Sequence, residues 1–175
     1  MSDLKTLTWP KHKLAESTLL MQDMLSGNIN TELYSDLVYS KHLLYSVIES
    51  RISFECADLP RAGLAFQDWK QMGSHPPTMP SSFFEFHEHL ASVEEPLLWA
   101  HVYVHYLAPL YGGQILKKIL SPRFPVAMLS FETPKACIAE IRHKTNASLA
   151  DEANLSFDFT TRYYDELYQS HYPNS

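Results

Sequence analysis

Apolar positions recur along most of this chain at three- to four-residue spacing, the period of an α-helix with one buried face. Between 31 and 52 the stripe is Leu33, Leu37, Leu44, Ile48 and Ile52. Asn30 or Thr31 can cap its start, and Glu32 stands in the first turn, where the helix dipole favours a carboxylate. A second stripe, Leu97, His101, Val104, Ala108, Tyr111 and Ile115, predicts a long helix over 93–120. Pro96 belongs in its first turn, where a missing N–H leaves nothing unpaired. Further helices are predicted on the N-terminal segment LKTLTWPKHKLAE, over 134–146, and over 151–169 with Leu155, Phe159, Tyr163 and Leu167. Pro60 and the run SHPPTMPSS at 74–82 interrupt the pattern and leave room for short helices near 62–72 and 83–91. Alternating β-branched runs are few, and no Asn-Gly or Asp-Gly hairpin turn occurs. The expected fold is all-α, a multihelical bundle.

Composition narrows this further. The 175 residues suit one domain spanning 1–175, and 45% hydrophobic with 19% charged residues is ordinary globular composition. A formal charge of −6 argues against a general nucleic-acid binder or an anchor on an anionic membrane. The N-terminus lacks the apolar core of a secretory signal, and no apolar run approaches the ~20 residues that span a bilayer. A soluble cytoplasmic protein is expected. Cys56 and Cys137, far apart and outside any CxxC pair, read as thiols of a reducing compartment rather than a disulfide.

Two segments carry candidate chemistry. On the N-terminal helix, His12, Ala15 and Glu16 share one face. The small residue leaves space for a flat ligand beside the imidazole, and the carboxylate can accept the ring's other N–H. That is what an axial heme ligand requires, although an exposed His–Glu pair has the same spacing. Within 93–120, adjacent Gly112 and Gly113 mark a kink or a close approach of backbone to something flat. Pro109 deletes the hydrogen bond to the His105 carbonyl and bends the chain; a plain loop between two shorter helices would also fit.

Other constellations are weaker. His101 and His105 are four apart, His87 and His89 flank Glu88, and Glu140-x-x-His143 is a single instance of a helical carboxylate–histidine pair. No GxSxG elbow, P-loop or dinucleotide fingerprint occurs. The aromatic run RYYDELYQSHY leaves an interaction module open, with core packing or a fraying end as the plainer reading.

The two segments together resemble heme oxygenase. The pattern T-x-x-x-H-x-x-A-E followed by a glycine is matched by Thr8, His12, Ala15, Glu16 and Gly27. The family's distal-helix pattern is matched by Tyr103, Tyr106, Leu107, Gly112, Gly113 and Gln114, preceded by EPLLWAH and followed by ILKK. The likeness covers about 4–52 and 95–118, continues more weakly through 142–146 and 157–167, and is shortened across 55–92.

The resemblance implies a fold that clamps heme between the helix bearing His12 and the kinked helix bearing Gly112 and Gly113. On it His12 is the proximal iron ligand and Glu16 the carboxylate that orients it. Gly112 and Gly113 form the distal backbone, and Tyr103 is a distal-pocket tyrosine. Lys5 and Arg142 fall on basic positions that hold the heme propionates, and Phe157 and Tyr164 on aromatic pocket positions. The implied reaction opens heme to biliverdin, CO and iron, using O2 and electrons from an external reductase or a ferredoxin-type donor.

One departure bears on activity. Where mammalian-type members carry a Gly-Asp pair that organises distal water, this sequence has Ala108 and Pro109, and Tyr111 replaces a small polar residue. Either backbone carbonyls, including the one freed at His105, order the water instead, or the protein binds heme without opening it, as a carrier or sensor. Di-iron oxidases of the same fold carry His-x-x-x-Asp-x-x-His, which is missing around Asp151, Asp158 and Asp165.

Overall fold

The computed structural model describes residues 3–174, and among them nine α-helices, two short 3-10 turns and no strand. The helices are α1 (Leu4–Glu16), α2 (Leu19–Ser26), α3 (Thr31–Glu49), α4 (Ala62–Gln71), α5 (Ser81–Ser92), α6 (Glu95–Leu110), α7 (Gly113–Leu120), α8 (Pro134–Lys144) and α9 (Ala150–His171). No helix among the described residues is long and apolar enough to cross a membrane.

Local chemistry sets most ends. Asp3 caps α1 by accepting from the Thr6 N–H at 2.8 Å, and Asn30, rather than Thr31, caps α3 by accepting from the Glu32 and Leu33 N–H groups. Helix α2, which the apolar pattern does not single out, is bracketed by Thr18 and by Gly27 at φ 74°. The Gly27 and Asn28 N–H groups close it on the Met24 and Asp23 carbonyls. Helix α3 stops at Glu49 instead of 52, unwinding through a turn that still buries Ile52.

The single helix expected over 93–120 is two. Pro109 sits in the last turn of α6, Tyr111 leaves helical geometry at ψ −83°, and α7 begins at Gly113. The second half of the expected stripe does not pack inward: Ala108, still within α6, and Tyr111 and Ile115, at and beyond the break, are exposed.

Helix α3 packs most extensively on α4, while α1 and α6 both lean on α9. The main core gathers Leu33, Leu37, Leu44 and Ile48 of α3 with Phe83, Phe86, Leu98, Val102, Tyr106 and Tyr163. A smaller cluster joins Leu4 and Ala15 of α1 to Ala100 and Val104 of α6 and to Leu149, Ala153 and Phe157.

Buried polar groups tie the irregular segments down. The Arg61 guanidinium, 1% exposed, donates to the Leu59 and Ser130 carbonyls and lies over the Phe131 ring. Asp68 accepts from the Ala127 and Met128 N–H groups. Cys56 and Cys137 are both free thiols, yet their sulfurs meet at 3.0 Å, a contact the sequence spacing does not suggest. Burial, then the Cys56 thiol, pushes the Cys137 thiol up to about 12.

Candidate functional site

Helix α1 presents His12 on a partly open surface. Its neighbours Thr8 and Ala15 are buried, whereas the His12 and Glu16 side chains are 39% and 44% exposed. His12 Nε2 lies 2.9 Å from Glu16 Oε1, so the pair implied by the sequence forms. The nitrogen engaged is Nε2, the outer one. An iron ion coordinates in the plane of an imidazole, and the in-plane direction at Nε2 is the one Glu16 now occupies. Ligation through Nε2 requires the ring to turn and hand Nδ1 to the carboxylate. Phe157 stacks on the face of the ring, 5.3 Å between centroids with 12° between planes, and Trp9 meets it edge-on at 5.2 Å. Phe157 covers a face of the ring, while Glu16 takes the in-plane direction at Nε2.

The α6–α7 junction supplies the other side. A Cβ on Gly112 would meet only the Ala108 carbonyl oxygen, at 3.8 Å, so nothing within the protein requires glycine there. At Gly113 it would meet the Pro109 Cβ at 3.2 Å and Leu129 at 3.5 Å, so this glycine serves the packing of the break itself. The Gln114 amide spans the junction, donating to the Pro109 carbonyl at 3.0 Å and the Leu129 carbonyl at 2.9 Å. Sequence reasoning took Gln114 only as a motif match; its part as a helix-end donor follows from the break.

The carbonyl freed at His105 is not left without a donor. The buried phenol of Tyr45 donates to it at 3.2 Å. This departs from the expectation of a free carbonyl: a buried acceptor orphaned by proline draws the nearest donor. Burial, then the negative charge that Tyr164 would carry nearby, raises the Tyr45 pKa, so the phenol remains a donor. His105 itself is buried, and burial, then the cation of Lys41, keeps its imidazole well below the usual pKa and neutral.

Tyr103 is half-buried, its pKa raised by burial and partly offset by the Thr8 hydroxyl of α1, with Tyr111 and Arg142 in its electrostatic surroundings. Tyr111 does not fill a pocket; it is 49% exposed, and Arg142 donates to its phenol oxygen at 2.6 Å. Arg142, on α8, is thereby held beside the α6–α7 junction, whereas Lys5 is exposed on α1 with its Nζ over the Trp9 ring, 6.0 Å from the centroid. The structure thus brings together His12, Glu16 and Phe157 in one group, and Tyr103, Tyr111 and Arg142 in another. Tyr164 is 7% exposed and packs edge-on against Tyr163 at 4.8 Å, as part of the main core.

Of the histidine pairs weighed as metal sites, none forms as spaced. Glu140 instead accepts from the Glu55 and Cys56 N–H groups at 2.8 and 2.7 Å. His105 turns to Ser156, 3.2 Å away.

Comparison with known proteins addresses the family directly. The family model described as heme oxygenase matches residues 1–135. Heme oxygenase 2 of Macaca fascicularis is 23% identical over 212 aligned positions, covering 97% of this chain and 67% of that protein. The heme oxygenase of Rhodella violacea is 26% identical, covering 94% and 85%. Among solved structures, heme oxygenase-1 of Synechocystis in complex with heme superposes with a TM-score of 0.80 at 23% identity, over 97% of this chain and 92% of that one. Heme oxygenase of Leptospira interrogans does so with 0.81 at 20% identity, over 93% and 97%. With the family model matching 135 of the 175 residues, and with the helical order and both motif-bearing helices in place, the chain belongs to the heme oxygenase family.

Proposed function

We propose that this protein binds heme through His12 and opens it to biliverdin, CO and iron, using O2 and electrons from an external donor such as a reductase or ferredoxin. The observation that carries the reading is the His12–Glu16 pair on α1, its imidazole stacked on Phe157 of α9, in a chain whose Gly112 would take a Cβ with no contact closer than 3.8 Å. The donor set fits heme: an imidazole with a carboxylate partner, a small Ala15 beside it, and a glycine surface that a flat ring can approach. Bound heme supplies the iron and the porphyrin that is itself consumed.

The chain's own residues have limited, definable tasks. Glu16 exchanges Nε2 for Nδ1 of His12, fixing the tautomer that leaves Nε2 a bare donor. Phe157 holds the ring plane. Gly112 admits a planar ligand to the backbone at the α6–α7 break, and Arg142, with Lys5 at the opposite edge, offers cations to propionate carboxylates. Tyr103 places a phenol near the Thr8 hydroxyl, where it can donate to distal water.

A specific observation favours a second reading, a heme carrier or sensor. Pro109 supplies neither carboxylate nor N–H, and the carbonyl it frees already accepts a hydrogen bond from Tyr45. One absorption series separates the two: protein with one equivalent of hemin, then reductant, in air. Decay of the Soret band with growth of biliverdin absorbance supports the enzyme. A Soret band that persists supports the carrier, and turnover gained only by Pro109→Asp strengthens that outcome. Unchanged ferric-heme spectra in His12→Ala would overturn the ligand assignment.

A further inference from the structure

Away from the His12 surface, three side chains from three helices converge on one point. His89 of α5, His101 of α6 and Glu152 of α9 place a ring nitrogen or carboxylate oxygen each within 4.8 Å of one another. His101 Nε2 lies 2.7 Å from Glu152 Oε1, and His89 Nε2 hydrogen-bonds to that same oxygen. Two imidazoles from different helices thus aim their outer nitrogens at a single carboxylate.

Packing holds this arrangement. His101 is completely buried against Phe86, 5.7 Å between centroids, and the His89 ring lies 5.3 Å from Phe159. His101 Nδ1 is 2.9 Å from Ser156 Oγ, which in turn is 3.2 Å from His105 Nε2. When Nδ1 donates to Ser156 and the Ser156 hydroxyl donates onward to His105, neutral His101 presents a bare Nε2 lone pair to the cluster. That is the second-sphere arrangement that readies a histidine for a metal. The opposite tautomer, with Nε2–H donated to Glu152, accounts for the ion-free hydrogen bonds. His89 and Glu152 are 27% and 13% exposed, which gives an ion a way in from solvent, while His101 anchors the floor.

We propose that His89, His101 and Glu152 bind one divalent transition-metal ion of the zinc or ferrous class, at a site separate from that of heme. Two imidazoles and one carboxylate form the donor set of such ions, whereas calcium and magnesium take oxygen donors. On binding, each neutral imidazole moves its proton from Nε2 to Nδ1, and the two N–H···O bonds give way to three coordinate bonds. The ion then ties α5, α6 and α9 together. The inference does not rest on heme binding or turnover.

The test is a titration of the full-length, tag-free protein with Zn2+ alone, in competition with a chromophoric chelator. One equivalent bound, weakened at least about tenfold by His89→Ala and by Glu152→Gln, is the expected result. His12→Ala and Cys56→Ser should leave the affinity unchanged, since they remove donors elsewhere. His89 packs on Phe159 and His101, so circular dichroism checks the fold of both His89→Ala and Glu152→Gln. Failure of the parent to compete with the chelator overturns the proposal. So does full affinity in His89→Ala, or loss in His12→Ala or Cys56→Ser, which would put the ion at those donors.

Discussion

Adjacent glycines need not do the same work, and Gly112 and Gly113 differ in a way that can be measured. Alanine at 113 presses on Pro109, a fixed ring that cannot step aside, so it should gain none of the ~1 kcal/mol that alanine usually brings to a helix. Alanine at 112 meets nothing closer than 3.8 Å. Thermal melts of heme-free protein should therefore show Gly112→Ala at least as stable as the parent. Hemin titration should show it binding about tenfold more weakly, the effect of ~1.4 kcal/mol of crowding from a methyl group set against a flat ligand. Equal hemin affinity would place the porphyrin elsewhere. Tyr45 is the second residue-scale case. Tyr45→Phe removes the donor from the buried His105 carbonyl and should cost about 1–3 kcal/mol in urea unfolding. Neither effect is legible in the sequence alone. It shows that Pro109 frees a carbonyl but not that a tyrosine sixty residues before that carbonyl reaches it.

Elements were more legible than contacts, because their signals are local. Asn30 as a cap, Pro96 in a first turn and the stripe of α3 act within a few residues, and the structure follows them. The break after Leu110 was harder to read. The apolar spacing runs on through Tyr111 and Ile115, and only the dihedral of Tyr111 shows that the stripe has left the core. The histidine cluster was invisible for the same reason: His101 and His105, close in sequence, share the Ser156 hydroxyl, while His89, His101 and Glu152 meet from three helices. Helix α8 illustrates an element positioned from a distance. Asp58, on the loop after α3, accepts from the Glu132 and Thr133 N–H groups, both at 2.7 Å, at the entrance to α8. Burial works against its charged form, but those two donors and the Arg61 guanidinium outweigh it and hold the carboxyl below its usual pKa. A depressed folded-state pKa means stability that is complete above the ordinary carboxylate range and lost as pH falls through the folded value. Asp58→Ala should cost about 1–2 kcal/mol at neutral pH, as loss of a cap does, and the deficit should shrink in acid. A deficit that stays constant from neutral to acid would mean that the charge of Asp58 contributes nothing.

At the scale of the whole molecule, the parts that bear His12 and Gly112 are joined less directly than the rest. Helix α3 lies broadly on α4 and carries the main core, whereas α1 meets α6 through the small cluster of Leu4, Ala15, Ala100 and Val104 and through Thr8 beside Tyr103, with α9 as a shared support. The apolar and aromatic surface around them, Trp9, Tyr111 and Ile115, stays exposed at 44%, 49% and 61%. Fewer buried contacts mean a lower free energy of local opening, so α1 should exchange its amide hydrogens well before α3 does. A ligand held by His12 on one side and by the α6–α7 junction on the other supplies the missing contact. It binds the folded state alone, so at a free concentration one hundred times its dissociation constant it should add about 2.7 kcal/mol to stability. The gain should be local as well as global. Hydrogen exchange with and without hemin should slow most at the amides of α1 and of the α6–α7 junction, and little in α3 and α4. In His12→Ala the slowing at α1 should disappear while the apolar contribution at the junction persists in part. Protection spread evenly over all the helices, or confined to α4, would mean that heme is held by another surface and that these two helices are not its clamp.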